Sequence, residues 1–262
     1  MNPTEIILIA GLIILFFIFL FIKMKKARTK YKDFPDEWKN YIKKKVQYYN
    51  LLSDDDKQRF ENDILTFLNK VRINGVETDV DDNDRLLVAS SAVIPIFGFP
   101  KWKTYPNLDE VLLYPDTFNE ESFETEGKQR DVLGMVGSGF MNKEMILSKP
   151  ALHRSFEQSG RNNVGIHEFV HLLDKLDGST DGIPGYLLER KYLIPWMKLM
   201  HREMQNIRAE HSDINPYGAV SEQEFLAVAS EYFFQNPERF KHHHPELFNM
   251  LENIFNQYPE KT

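Results

Sequence analysis

Few short patterns restrict a fold as tightly as His167-Glu168-Phe169-Val170-His171, an H-E-x-x-H set among apolar residues at helical spacing. Four residues advance a helix by just over one turn, so both imidazoles leave the same face, one above the other. Two neutral imidazole nitrogens so placed can share a Zn²⁺, with the intervening glutamate beside a metal-bound water as general base. Ile166, Phe169, Val170 and Leu173 fall at i, i+3, i+4 and i+7 and make a core-facing stripe. The pattern therefore predicts a helix with one packing face and one metal face.

A catalytic zinc needs a third protein ligand. A metzincin would continue with Gly at 174 and His or Asp at 177, but the chain has Asp174 and then Asp177, so the turning glycine is missing. A better source is the segment from Ser221 to Phe234, which opens as S-x-x-E and then runs apolar with helical spacing. Glu224 and Glu231 lie seven apart on it and share a face. Glu224 stands at the third position after Ser221, where a glutamate ordinarily bonds the N-cap N–H. Glu231 sits amid apolar residues, where a carboxylate is costly to bury without a compensating charge or metal. Glu231 is thus the first candidate, ahead of Glu224 and then Asp177. Tyr217, in the loop before this helix, is a candidate to stabilise an oxyanion, and Asp174 to orient a ligand histidine.

The stretch HEFVHLLDKLDGSTDGIPGY, followed by EFLAVASEYFFQNPERF, resembles the Mlc titration factor A family of zinc peptidases. Its members pair a helical H-E-x-x-H and an L-D-x-x-D-G stretch with a later E-F-x-A-V-x-S-E-Y-F-F helix. The resemblance extends to Leu86–Phe97 and to the Val111–Asp116 segment, and spans most of residues 35–257. It implies His167 and His171 as zinc ligands, Glu168 as catalytic carboxylate and Glu231 as third ligand. One member of that family is known for binding a transcriptional repressor, so a regulatory protein partner is implied as well. The first 32 residues depart from the family, which is usually soluble.

Ile6–Ile22 is an uncharged apolar run that would span about 26 Å as a helix, at the short end for a bilayer core. Only Glu5 precedes it, and Lys23, Lys25, Lys26, Arg28, Lys30 and Lys32 follow. The positive-inside rule then predicts a single-pass anchor with the body in the cytoplasm. A cleaved signal peptide fits less well, because the basic n-region and small-residue cleavage site are missing. With a net charge of -7 overall and that basic flank at the front, the remaining body is strongly acidic, which disfavours nucleic acid. The chain has no cysteine, which excludes disulfides and thiolate metal sites.

These readings divide the chain into a transmembrane anchor (1–22), a basic juxtamembrane linker (23–34) and a zincin-like metallopeptidase domain (35–262). The expected fold is a mainly helical α+β zincin of gluzincin type. Helices are expected at 36–49 and 54–71, a core helix at Leu86–Phe97 ended by Pro95, and short strands at 110–114 and 144–148. Gly134, Gly137 and Gly139 suggest a loop or hairpin between those strands, and the chain from residue 150 reads as nearly all helix. The tandem His242-His243-His244 reads as an exposed turn, because adjacent side chains point apart. His153, His201 and His211 read as surface residues. The expected activity is hydrolysis of a peptide or protein substrate by a membrane-anchored zinc peptidase. The rival reading is a membrane-tethered module of the same fold that sequesters a cytoplasmic protein partner.

Overall fold

In a computed structural model of the chain, residues 30–117, 133–136, 143–157 and 162–258 are described. The described part of Asp33–Thr262 makes one compact unit. It begins with α1 (Asp36–Lys45), a one-turn α2 (Gln47–Asn50) and α3 (Asp54–Lys70). Strand β1 (Arg72–Gly75) leads to α4 (Asp82–Ile96), followed by β2 (Glu110–Tyr114), β3 (Gly134–Val136) and β4 (Glu144–Ser148). The helices α5 (Lys149–Glu157), α6 (Val164–Asp174), α7 (Arg190–Arg208), α8 (Glu222–Gln235), α9 (Pro237–His243) and α10 (Pro245–Phe255) complete it.

The helix starts follow local chemistry. Ser53 accepts the N–H of Asp56 at 3.2 Å, and Asp54, Asp55 and Asp56 fill the first turn of α3, where the helix dipole favours negative charge. At α4 a full capping box joins Asp81 and Asp84. From Leu86 to Ile96 every residue of α4 is buried, so this is the core helix its composition predicts. The expected helix over 36–49 is broken at Val46, whose extended backbone (φ -102°, ψ 95°) separates α1 from α2.

The sheet has the order β1-β2-β4-β3. The first three strands in that order run parallel, with Val111 beside Ile73 and Met145, while β3 joins the edge antiparallel, Met135 opposite Ile146. Parallel strands buried on both faces read as continuous apolar runs, as the Met145–Leu147 segment does. Strand β1, with the sequence RING, gives no such signal. Gly134 is the one glycine of its expected loop that the structure places in a strand; Gly137 and Gly139 lie outside the described residues.

Helix α6 packs against β3, α4 and α8. Its core stripe is fully used, with Phe169 meeting Phe67 and Tyr105 at ring-centroid distances of 5.7 and 5.0 Å. Helix α8 sends Phe233 and Phe234 toward Phe248 and Phe255 of α10, at 5.1 and 4.9 Å. Two helices with independent apolar anchors therefore fix the site between them.

The expectation of a single-pass membrane protein is corrected. Among the described residues no helix is long and apolar enough to cross a membrane. The reason is physical: α7, at 19 residues, is studded with charge, and the apolar α4 has only 15 residues, against roughly 20 needed to span. Ile6–Ile22, on which that expectation rested, lies outside the described residues.

Candidate metal centre

Asn163 starts α6 by accepting the N–H of Ile166 at 3.0 Å, and the helix then presents His167 and His171 on one face. Their Nε2 atoms are 3.0 Å apart. Glu224 arrives from the first turn of α8, with Oε2 3.0 Å from His167 Nε2 and Oε1 3.5 Å from His171 Nε2. His167, His171 and Glu224 are the group of side chains, among the described residues, arranged as a metal ion would need.

The structure gives the two candidate glutamates different places beside the histidines. The structure brings Glu224 to the two Nε2 atoms, and it puts Glu231 behind His167. Glu231 Oε1 is 2.7 Å from His167 Nδ1, and its Oε2 accepts the backbone N–H of Asn163. The two glutamates do share a face of α8, but seven residues separate them by about 10 Å along the axis. One therefore meets the inner nitrogens and the other reaches round to the outer one. Glu224 is also released from its expected task. Ser221 accepts the N–H of Glu224 at 3.3 Å, while the Glu224 carboxylate turns to the histidines. Asp177 stays in its turn, where it accepts from the N–H and hydroxyl of Ser179 at 3.0 and 2.7 Å.

Electrostatics favour a cation at this point. A carboxylate can only accept, so Glu231 leaves the proton of a neutral His167 on Nδ1 and a lone pair on Nε2. In that neutral form the lone pair faces His171 Nε2 and the Glu224 carboxylate, a set of donors that a cation can join. Burial would lower the pKa of His167, but the bonds to Glu224 and Glu231 raise it well above the ordinary value. Burial would likewise raise Glu224, yet the two histidines hold it at about 2. Donors about 2.05 Å from a common tetrahedral ion stand about 3.3 Å apart, and the observed separations, 3.0 Å between the two imidazoles and 3.0 and 3.5 Å from them to different oxygens of Glu224, bracket that spacing.

Glu168 lies outside this group. It is 6% exposed, and its pKa is raised, first by burial and then by the nearby charges of Glu224 and Glu231 against those of the histidines. Strand β3 passes over it at Gly134, where a Cβ would stand 2.6 Å from Glu168 Cγ. An isolated glycine in a strand marks such a close approach; with Gly137 and Gly139 close by, the sequence reads Gly134 as part of a loop instead. The histidines, Glu168, Glu224 and Glu231 all line an open cavity of about 1460 Å³, together with Leu133–Val136, Arg154 and Tyr217. Tyr217 is half exposed, with its ring 6.1 Å from that of His167. Asp174 is buried at the end of α6 and accepts the N–H of Gly182 at 2.9 Å; burial pushes its pKa up to about 6.

A sequence profile described as glucose-regulated metallo-peptidase M90 matches residues 21–256. The chain belongs to the M90 metallopeptidase family. An uncharacterized protein of Synechocystis sp. is 27% identical over 270 residues, 97% of each chain. Mlc titration factor A of Cronobacter sakazakii is 29% identical over 227 residues, 79% of this chain and 82% of its own. Mlc titration factor A of Escherichia fergusonii is 31% identical over 166 residues, 57% of this chain and 60% of its own. M90 membership implies a metal, and the His167–His171–Glu224 group is where this member of the family has donors for one.

Two histidines depart from the surface role expected of them. His153 Nε2 lies 2.6 Å from the buried Asp84. His244, expected in an exposed turn, is enclosed between Asp213 at 2.9 Å and Glu203 at 3.6 Å. No spacing in the sequence pairs either one with its acid, since the partners lie on distant elements.

Proposed function

We propose that this M90 domain is a zinc-dependent peptidase in which His167, His171 and Glu224 hold the metal and Glu168 is the general base. The observation that carries the reading is the position of Glu168. It sits between the two histidines on α6, outside the His-His-Glu group, and faces the same cavity. A purely structural metal site has no use for a buried carboxylate there.

When bound, zinc would supply a Lewis acid that polarises the scissile carbonyl and lowers the pKa of a bound water toward 7. Glu168 takes a proton from the attacking water and delivers it to the leaving amine nitrogen. Its burial supports this, because a desolvated carboxylate is more basic than one in water. Glu231 keeps His167 in the tautomer that offers Nε2. Tyr217, at the cavity wall, donates a hydrogen bond from its hydroxyl to the carbonyl oxygen as charge develops there. The edge strand β3 borders the same cavity and suits an extended peptide, which can add to a sheet edge through main-chain hydrogen bonds.

Metal analysis and a peptide-library digest of Glu168→Gln test the reading. The variant should keep one zinc and lose at least about 100-fold in hydrolysis, the usual worth of a general base. Near wild-type turnover would remove Glu168 from the mechanism.

A second reading comes from the relatives named Mlc titration factor A. The same cavity would then serve to capture a protein partner. Under this reading the Glu168→Gln variant binds its partner as tightly as the wild type, and the wild type leaves that partner uncut.

A further inference from the structure

Two buried polar atoms near the metal group have no hydrogen-bond partner: His171 Nδ1 and Asp174 Oδ1. They belong to residues one turn apart on α6, and side chains at i and i+3 are neighbours on a helix. Asp174 is 1% exposed, and its other oxygen is already spent on the N–H of Gly182 at 2.9 Å. A histidine that gives Nε2 to a metal carries its proton on Nδ1, and metal-bound histidines almost always donate that proton to a carboxylate, carbonyl or water. His167 has such an acceptor in Glu231. His171 has none.

We infer that Asp174 is the positioning residue of His171, its free oxygen receiving the Nδ1–H through one buried water. This rests on the metal-centre reading above and deepens it. The carboxylate also reaches further than the imidazole. Gly182, whose N–H it accepts, adopts φ +72° and accepts the Trp196 indole N–H at 2.7 Å through its carbonyl. A Cβ on Gly182 would collide with the carbonyl of Glu222, two residues before Glu224. Asp174 thus joins the end of the histidine helix to the start of the helix that brings the third donor. Asn107 Oδ1 is the competing acceptor, also buried and partnerless, but its amide group is bonded to the Leu172 carbonyl, about 100° round the helix from His171.

The test uses the full chain, with zinc affinity measured by competition against a chromophoric chelator. The wild type should bind one zinc; failure at that step would sink the metal centre itself and is distinguishable from failure of this inference. Asp174→Asn keeps an oxygen for Gly182 but turns an N–H donor toward Nδ1–H, so zinc should bind about 10- to 100-fold more weakly. In the zinc-loaded protein, the downfield Nδ1–H resonance of His171 should vanish in this variant, while that of His167 persists. A merely structural Asp174 would move neither reading. Should Asp174→Asn not fold, Asp174→Glu supplies the second measurement, and it should bind zinc more tightly than Asp174→Ala. Zinc affinity within twofold of wild type, or loss of the His171 resonance in Asn107→Ala instead, overturns the assignment.

Discussion

Gly134 lies so close over Glu168 that a Cβ there would stand 2.6 Å from Glu168 Cγ and 2.8 Å from Oε1. Such contact is far inside van der Waals range, so even one added methyl must displace either the edge strand or the carboxylate. Gly134→Ala should therefore reduce hydrolysis by at least about tenfold, since a 1 Å misplacement can cost far more. Zinc content should stay at the wild-type level, because the three atoms nearest a Cβ there all belong to Glu168 and not to a metal donor. Activity within twofold of wild type in a peptide digest would show that the roof over Glu168 is not needed.

The two glutamates of α8 should separate cleanly in dialysis. Glu224→Ala removes a metal donor and should leave the purified protein without stoichiometric zinc. Glu231→Ala removes an outer partner of His167 and should weaken zinc about 10- to 100-fold while leaving binding measurable. The reverse order in competition titrations would exchange their roles.

The Asp84 cluster should govern acid stability. Asp84 is fully buried, bonded to Lys149 at 2.8 Å and His153 at 2.6 Å. Burial would raise its pKa, but those partners and the Asp81 N–H hold it at about 2. A folded pKa below the unfolded value of about 3.9 contributes stability that is present above pH 4 and lost as pH falls toward 2. Asp84→Asn should destabilise the fold by about 3 kcal/mol at pH 7. It should also flatten the pH dependence between about 4 and 2, read by denaturant melts. An unchanged acid limb would contradict the pairing.

His244 should act in the opposite direction. Burial would lower its pKa, but Glu203 and Asp213 raise it above the ordinary value. Its contribution is then complete below about pH 6.5 and disappears as pH rises through the folded-state pKa. His244→Gln should cost about 2 kcal/mol at pH 6, the scale of a charge-assisted hydrogen bond. The difference from wild type should shrink in alkaline solution; a gap that widens there would refute the charged state.

Phe169 anchors α6 through Phe67 and Tyr105 and is fully buried. Phe169→Ala should cost about 3–5 kcal/mol through lost burial and the cavity left behind. A calorimetric loss under 1 kcal/mol would mean that the neighbours collapse into the gap.

Much of this was legible in the sequence because it depends on local spacing. The α6 stripe, the Ser53 and Ser221 starts, the buried Leu86–Ile96 run and the strands at 110–114 and 144–148 are all periodic or capped signals. What was hidden depends on relations between elements. Glu224 and Glu231 share one face of one helix, and only the crossing with α6 decides which meets Nε2 and which meets Nδ1. The acids that enclose His153 and His244 come from other elements, 69 and 31 residues away. Strand β1 has no alternation to betray it, since Ile73 is its single buried residue.

Within α6, packing and chemistry are assigned to different side chains. Ile166, Phe169, Val170, Leu172 and Leu173 are buried in the core, while His167 and His171 keep 12% and 14% of their side chains open to the cavity. The helix would hold its place by its apolar residues even if every donor atom were exchanged. Exchange of the polar residues alone can thus change what the cavity does and leave the scaffold around it in place. The two functions proposed for this cavity are therefore separated by a few polar side chains and not by a change of fold.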